Sequence, residues 1–473
     1  MRIWMRHALF WHAARHLIPR TKLFVVFGTP LRGRWVFSLL WHAAPRRRGQ
    51  PLSQPLYPAG GQWTQGSPRN AQRKPVSSAP PAVGYFQRMV TTRRGFCRGA
   101  ISLAVMLVGV DASRITRPRR TGTENYSLQV LRELLQFDAE NAYRLYLSAP
   151  LSDGLLPRTP NTTSKLIRLP RLWTQVGLSR EMLTHPPDVL FVPSHVLPLV
   201  SPKRSVVVVY DVGHRFFPRA HGVAEWLYVE WAIRRHVRIA TRLLTISESS
   251  KRDLVRLYRA DPARVDVAYP AVDARFKPAS PTEMERVRKR YGLAERYVLH
   301  LGTIKPRKNL PRLIHAFSQA RLPQDMQLAL GGMTTFGANA VERAIDASGP
   351  GLRKRLLRLA YVPDDDLPAL YSGAACVAIV SLYEGFGMPA LEALACGAPV
   401  VASDCGSLPE IVADAGVLVN PLDVASIARG LEQATADFSL PERGVKRAAA
   451  FDWPTAARVT QRVLEAAYCA PSS

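Results

Sequence analysis

Glu384-Gly385-Phe386-Gly387-Met388-Pro389-Ala390-Leu391-Glu392 places two carboxylates around a glycine turn that opens a helix. Immediately before it, Ala375 to Ser381 is a short apolar run bounded by polar residues, the pattern of a buried parallel strand. Gly385 and Gly387 allow backbone angles and close approaches that side chains resist, and Pro389 suits the first turn of a helix. The spacing predicts a helix over Pro389–Cys396, stopped at Gly397, whose free N–H groups face the loop carrying Glu384. Such a helix start attracts phosphate, and Glu392, one turn in, can accept from sugar or ribose hydroxyls. Taken singly, Glu392 also fits a helix-dipole partner and Glu384 a solvated loop charge. Together, the two acids, the glycine turn and the helix start point to a nucleotide-sugar site.

Outward from this stretch the chain alternates strands with helices. Short apolar runs at Ala104–Asp111, Arg144–Ser148, Leu166–Leu169, Val189–Val192, Val206–Tyr210 and Leu243–Ile246 read as strands, with helical patterns at Glu124–Phe137 and Val223–Arg238. The pattern restarts at Tyr297–Gly302, Gln327–Leu330, Leu357–Val362, Cys376–Val380, Val400–Ala402 and Val417–Val419, with helices at Leu310–Ala320, Leu367–Ser372 and Val424–Ala434. Between the sets, Val272–Pro281 is rich in Pro, Ala and Ser, as a linker is. Alternation of this kind means parallel sheets covered on both faces, so the fold class is α/β, with two doubly wound domains facing across a cleft. The expected division is a basic extension over 1–103, an acceptor domain over 104–275, a donor domain over 282–450 and a last helix with tail over 451–473.

Over about residues 106–465 the chain resembles the retaining glycosyltransferases of family 4, which have the GT-B fold of two Rossmann-like domains. The most specific part is SLYEGFGMPALEALACGAPVVAS, Ser381–Ser403, and the run Gly302-Thr303-Ile304-Lys305-Pro306-Arg307-Lys308-Asn309-Leu310 looks like the family's donor-diphosphate loop. The resemblance implies that Arg307 and Lys308 hold the phosphates, where fixed cations stabilise a departing diphosphate. It implies that Glu384 orients the donor sugar and Glu392 binds the ribose, with Gly302, Val362, Gly385, Phe386 and Gly387 completing the donor site. In the first domain, Gly122 sits in the position of a phosphate and acceptor loop. Asp211 lies in a segment that in the family often reads His-Asp, with Tyr210 here in place of the histidine and His214 a substitute for it. His195 follows a strand toward the cleft. The implied reaction transfers a sugar from a nucleoside-diphosphate donor to a glycan or lipid-linked acceptor, with retention at the anomeric carbon and without a cofactor or metal. Asp364-Asp365-Asp366 imitates a metal motif, but it directly precedes a helix, where capping and the dipole favour acids.

Composition bounds these readings. The chain has 473 residues and a net charge of +28, but residues 1–100 hold 17 of the Lys and Arg and none of the Asp and Glu. That segment is an appendage to the fold, with three origins open: a start placed upstream of Met89 or Met106, a disordered basic arm, or a targeting segment. The five cysteines form no Cys-x-x-Cys pair, which fits a reducing compartment, and no apolar run reaches the ~18 residues of a membrane span. A cytoplasmic protein is expected, resting peripherally on an anionic leaflet through Arg234, Arg235, Arg238, Arg252 and Arg256. Two other classes stay open: a GT-B epimerase or phosphorylase, which would need a histidine pair or a cofactor lysine in the cleft, and a nucleic-acid-binding protein acting through residues 1–100.

Overall fold

Each of the two repeats builds a parallel sheet with the same order of strands. In the computed structural model, residues 105–117, 122–194, 196–333, 338–359 and 361–471 are described; the expected extension over 1–103 and His195 lie outside them. The first sheet contains β1 (Leu107–Asp111), β2 (Ala142–Leu147), β3 (Thr162–Leu166), β4 (Val189–Val192), β5 (Ser205–Val208), β6 (Arg242–Thr245) and β7 (Val265–Val267), in the order β3-β2-β1-β4-β5-β6-β7. The second contains β8 (Tyr297–Leu301), β9 (Gln327–Gly331), β10 (Leu356–Leu359), β11 (Cys376–Ile379), β12 (Val400–Ser403) and β13 (Val417–Val419), in the order β10-β9-β8-β11-β12-β13. In both, the chain turns back on itself beside the first strand, between β1 and β4 and between β8 and β11. Ligands of such sheets gather at the carboxyl end of that switch point.

The central strands are apolar because both faces are covered: every residue of β4, β8 and β11 is buried. Among the helices that cover them are α1 (Gly122–Phe137), α2 (Val223–Ile239), α3 (Glu248–Tyr258), α4 (Leu310–Gln319), α5 (Met388–Ala395), α6 (Leu408–Val412) and α7 (Trp453–Tyr468). In α1, Tyr126, Val130, Leu131, Leu134 and Leu135 recur at helical spacing and all are buried. The C-terminal α7 packs on α1 and over β4, β5 and β6, so the end of the chain closes on the first sheet. Trp453 at its start meets the Tyr126 ring edge-on, with centroids 5.9 Å apart.

The expected strand at Leu166–Leu169 lies earlier, at Thr162–Leu166, because the edge of the sheet takes a polar strand that an apolar-run criterion passes over. The short β7 was not expected; α3 starts at its N-cap Ser247 and has a mostly polar sequence, ESSKRDLVRLY. The stretch 268–280 has no regular structure, and Ser280 forms a capping box with Glu283 at the start of the next helix. Among the described residues, no helix is long and apolar enough to cross a membrane.

The ends of β8 and β9 press together at two glycines. Gly302 and Gly332 both have positive φ, and a Cβ at 332 would stand 2.1 Å from the Gly302 carbonyl oxygen. Gly332→Ala is therefore expected to lower stability by roughly 2–4 kcal/mol. The check is urea denaturation followed by circular dichroism, against Gly351→Ala, where an added Cβ meets nothing within 4 Å.

Candidate active site

At the switch point of the second sheet, the loop after β8 meets the loop after β11. Pro306–Lys308 forms a single tight turn, and Asn309 follows it with φ near 61°. The Asn309 side chain donates to the carbonyls of Val380 and Pro421, at 3.1 and 2.7 Å, which anchors the turn against β11. The Leu382 amide donates to the Arg307 carbonyl at 2.7 Å. The two loops are thereby locked in register before any side chain is considered.

Glu384 is the centre of the site. It is only 6% exposed, yet both of its oxygens are bonded: Arg307 Nη1 donates to Oε2 at 2.6 Å, and Lys308 Nζ donates to Oε1 at 2.6 Å. Ser381 Oγ also donates to Oε1, at 2.7 Å. Burial alone pushes this carboxyl up, but Lys308 and Arg307 more than offset it and hold it down at about 2. It is therefore ionised throughout the physiological range. Lys308 is as buried as its partner, at 5% exposure, whereas Arg307 is partly open to solvent.

The glycine turn follows immediately. Gly387 has φ near 105° and caps the start of α5, which Pro389 enters in its first turn. The amides of Gly385 and Gly387 donate to none of the described groups, which leaves them available to an anion. Inside α5, Glu392 accepts from the Tyr371 hydroxyl through Oε2 at 2.8 Å. Burial pushes Glu392 up to about 7, with Tyr371 and Lys308 opposing the rise. The two glutamates of one motif are thus tuned in opposite directions: one has two cationic partners, the other a single phenol.

The first sheet contributes from across the cleft. A Cβ at Gly385 would lie 2.9 Å from Asp211 Oδ2, so the loop after β5 touches the glycine turn directly, and the Asp211 charge acts on Arg307. Ser247 caps α3 and donates to the Gly385 carbonyl at 2.6 Å. Glu410 of α6 caps α3 from the opposite side, accepting from the amides of Glu248 and Ser249, both at 2.9 Å, and from the Tyr269 hydroxyl at 3.0 Å. Tyr383 stacks on Phe216 and donates to Asp253 at 3.1 Å.

The structure therefore assembles Glu384, Arg307, Lys308, Gly302, Gly385, Gly387 and Asp211 in one place. The Phe386 ring packs against Tyr269 and Phe451 in the core, and Ser407 Oγ donates to its carbonyl at 2.6 Å. Only its amide is left to serve a ligand. Val362 is buried beyond β10, and Gly122 opens α1; among the described residues no contact ties either to Glu384. His214 is not aimed into the cleft, since its Nε2 lies 3.1 Å from both Glu230 and the Tyr258 hydroxyl. Tyr210 donates to the carbonyls of Pro193 and Thr123, at 2.6 and 3.1 Å, which ties the loops after β4 and β5 to the first turn of α1. Asp366 is spoken for by Tyr291 and Arg286, at 2.7 and 2.9 Å. Sequence reasoning overlooked Gly332, Ser247 as a bridge, and Glu410. The Gly331-Gly332 pair at a strand end was a usable signal for the first; the other two depend on contacts between distant parts of the chain.

Comparison with known proteins bears on the family and the fold. Residues 283–451 match the family described as Glycosyl transferases group 1, and residues 121–276 match Glycosyltransferase Family 4. The O-antigen chain mannosyltransferase B of Escherichia coli is 34% identical over 259 residues, covering 53% of this chain and 67% of that protein. The D-inositol 3-phosphate glycosyltransferase of Salinispora tropica is 39% identical over 233 residues, covering 45% of this chain and 48% of that protein. The chain thus spans about two thirds of the first relative and about half of the second. Among solved structures, Anabaena Alr3699/HepE in complex with UDP and glucose aligns with a TM-score of 0.58 and 18% identity, covering 77% of this chain and all of that one. At that identity, the likeness concerns the fold.

Removing the Glu384 charge strands a buried ammonium, so Glu384→Gln is expected to cost roughly 3–5 kcal/mol of stability at pH 7, partly restored by adding Lys308→Met. The stabilisation from the ionised carboxylate is present above its unfolded pKa, near 4.5, and is lost as pH falls toward about 2. Thermal unfolding of wild type, single and double variants between pH 3 and pH 7 reads both effects; equal acid sensitivity in wild type and Glu384→Gln contradicts the assignment.

Proposed function

The chain belongs to the family 4 glycosyltransferases, and we propose that it is a retaining hexosyltransferase, moving a mannose-like or other hexose from a nucleoside-diphosphate donor to a glycan or lipid-linked acceptor. The observation that carries this reading is the buried Glu384 carboxylate clamped by Arg307 and Lys308 beside a glycine turn whose Gly385 and Gly387 amides donate to none of the described groups. Two cations and unbonded amides at one junction of loops suit a diphosphate, and a fixed carboxylate suits sugar hydroxyls. Arg307 and Lys308 neutralise the charge that grows on the leaving diphosphate, so no metal or other cofactor is assigned. Retention fits a front-face displacement in which the donor phosphate accepts the acceptor proton. Glu392, with one oxygen bonded to Tyr371, has the other available for ribose. The similarity to an O-antigen chain mannosyltransferase favours a mannosyl donor, and the proposed context is envelope polysaccharide or glycolipid synthesis.

Membrane contact belongs to the same proposal, with Arg238 kept from the expected arginines and apolar side chains added to it. Arg234 and Arg256 are paired to Glu230 and Asp253, and Arg235 is bonded to carbonyls of the loop after β4. The better anchor is the outer ridge of α2, where Val223, Leu227 and Trp231 follow one another at four-residue spacing and are exposed, beside Tyr228. Leu172 and Val176 are also exposed, and Gln175 reaches the Tyr228 hydroxyl at 3.5 Å, which places them next to the ridge. An apolar ridge with Arg238 exposed near its end fits an anionic lipid surface.

Thermal-shift titration with UDP, GDP, ADP and their hexose conjugates tests the donor reading, with about 2.7 kcal/mol gained near 100 Kd. One nucleotide series is expected to respond; a folded protein that responds to none overturns it. Because only ionised Glu392 accepts from two hydroxyls, nucleotide affinity is expected to rise several-fold from pH 6 to pH 8 and to lose that slope in Glu392→Gln. Product anomeric configuration by NMR decides retention. For the membrane contact, co-sedimentation with vesicles containing phosphatidylglycerol is expected to fall in Leu227→Asp/Trp231→Asp, and unchanged sedimentation removes the claim.

A further inference from the structure

We propose that His300 is a positioning residue of the transfer reaction, its Nε2 lone pair receiving the Lys308 ammonium when Glu384 turns to a bound donor sugar. The inference rests on reading the cleft as a nucleotide-sugar site. His300 sits within β8, the strand that delivers the phosphate loop, and is 0% exposed. Its Nδ1 lies 2.9 Å from the Ala378 carbonyl of β11. A carbonyl can only accept, so the ring proton resides on Nδ1 and Nε2 carries a lone pair. That Nε2 is buried and has no hydrogen-bond partner among the described residues. Burial and the neighbouring Lys308 charge lower the pKa of His300 to about 4, so the ring stays neutral in the working range.

Lys308 supplies the complementary shortage. Its ammonium has three N–H groups in a buried position, and its hydrogen bond is to Glu384 Oε1. Both side chains converge on the space that Gly302 keeps open: a Cβ there would lie 3.5 Å from Lys308 Nζ and 4.0 Å from His300 Nε2. An unused acceptor and a donor with spare protons therefore stand near one another without being bonded. A buried acceptor left unsatisfied costs roughly 1–3 kcal/mol, so the arrangement is poised to change. Sugar hydroxyls compete with Lys308 for Glu384. Once they do so, a hydrogen bond to His300 holds the ammonium in the loop, facing the diphosphate, with no proton transferred between them.

The test compares diphosphate donors that carry the sugar hydroxyls (UDP-hexose, GDP-hexose and ADP-hexose) with the matching nucleoside monophosphates by calorimetry, in wild type, His300→Phe and His300→Gln. His300→Phe removes the lone pair and is expected to weaken donor binding about tenfold while monophosphate binding changes little. His300→Gln restores an acceptor and is expected to recover most of the loss. Adding Lys308→Met to both proteins is expected to abolish the difference between wild type and His300→Phe. Equal donor affinity in wild type and His300→Phe overturns the inference, as does an equal loss for donors and monophosphates, which is the mark of a merely structural residue. A wild type that binds none of the UDP-, GDP- or ADP-hexoses overturns the cleft reading itself, and this inference with it. Should the His300→Phe variant not fold, wild type labelled with 15N-histidine supplies the answer: the Nε2 resonance missing from His300→Gln shifts on donor saturation, and an unmoved resonance refutes the role.

Discussion

One buried carboxylate organises the switch point of the second sheet. Glu384 is held by a guanidinium and an ammonium that come from a different strand-to-helix connection, so the ion cluster stitches together the two loops that flank the switch point of the second sheet. A charge taken so far out of water is tolerable only when its partners are close and fully aligned. The anchoring of Asn309 to the carbonyls of Val380 and Pro421 provides that alignment through the backbone. The ion cluster and the local stability of the sheet therefore share the same atoms.

The glycines around this cluster are there because of what must approach them. Gly385 has the Asp211 carboxylate against it, Gly302 has Lys308 and His300, and Gly332 has the backbone of Gly302 itself. At Gly385 and Gly332 a side chain has no room unless a carboxylate or a main chain moves, and at Gly302 a φ of 144° disfavours one. The site is consequently defined as much by missing Cβ atoms as by the ionisable groups it presents.

Much of this was legible in the sequence. Buried parallel strands announce themselves as unbroken apolar runs, so β4, β8 and β11 were visible, and glycines beside a proline at a strand end marked the turn before α5. The pairing of Glu384 with Arg307 and Lys308 was anticipated only as co-residence in one site; that the cations hold the acid when no donor is present follows from distances, not from spacing. Other features were hidden for physical reasons. The edge strand β3 is polar because one side of it faces water. Phe386 was read as a donor-site residue from its place in the motif; the packing of its ring in the core with Tyr269 and Phe451 follows from its size and apolarity. His300 gave no signal at all, since a single histidine within an apolar strand resembles ordinary filling until its second nitrogen is found without a partner.

The cap on α3 links mechanics to helix order. Ser247 satisfies one end group of that helix from within its own domain, but the amides of Glu248 and Ser249 depend on Glu410, which belongs to the other sheet's layer. Two halves of the protein thus share ownership of a single helix end. Any separation of the sheets strips those amides of their acceptor at the moment it strips Gly385 of its bond to Ser247. Fraying of the first turn of α3 and widening of the cleft are then one event, and the local order of a short helix becomes a built-in gauge of how far the enzyme is open.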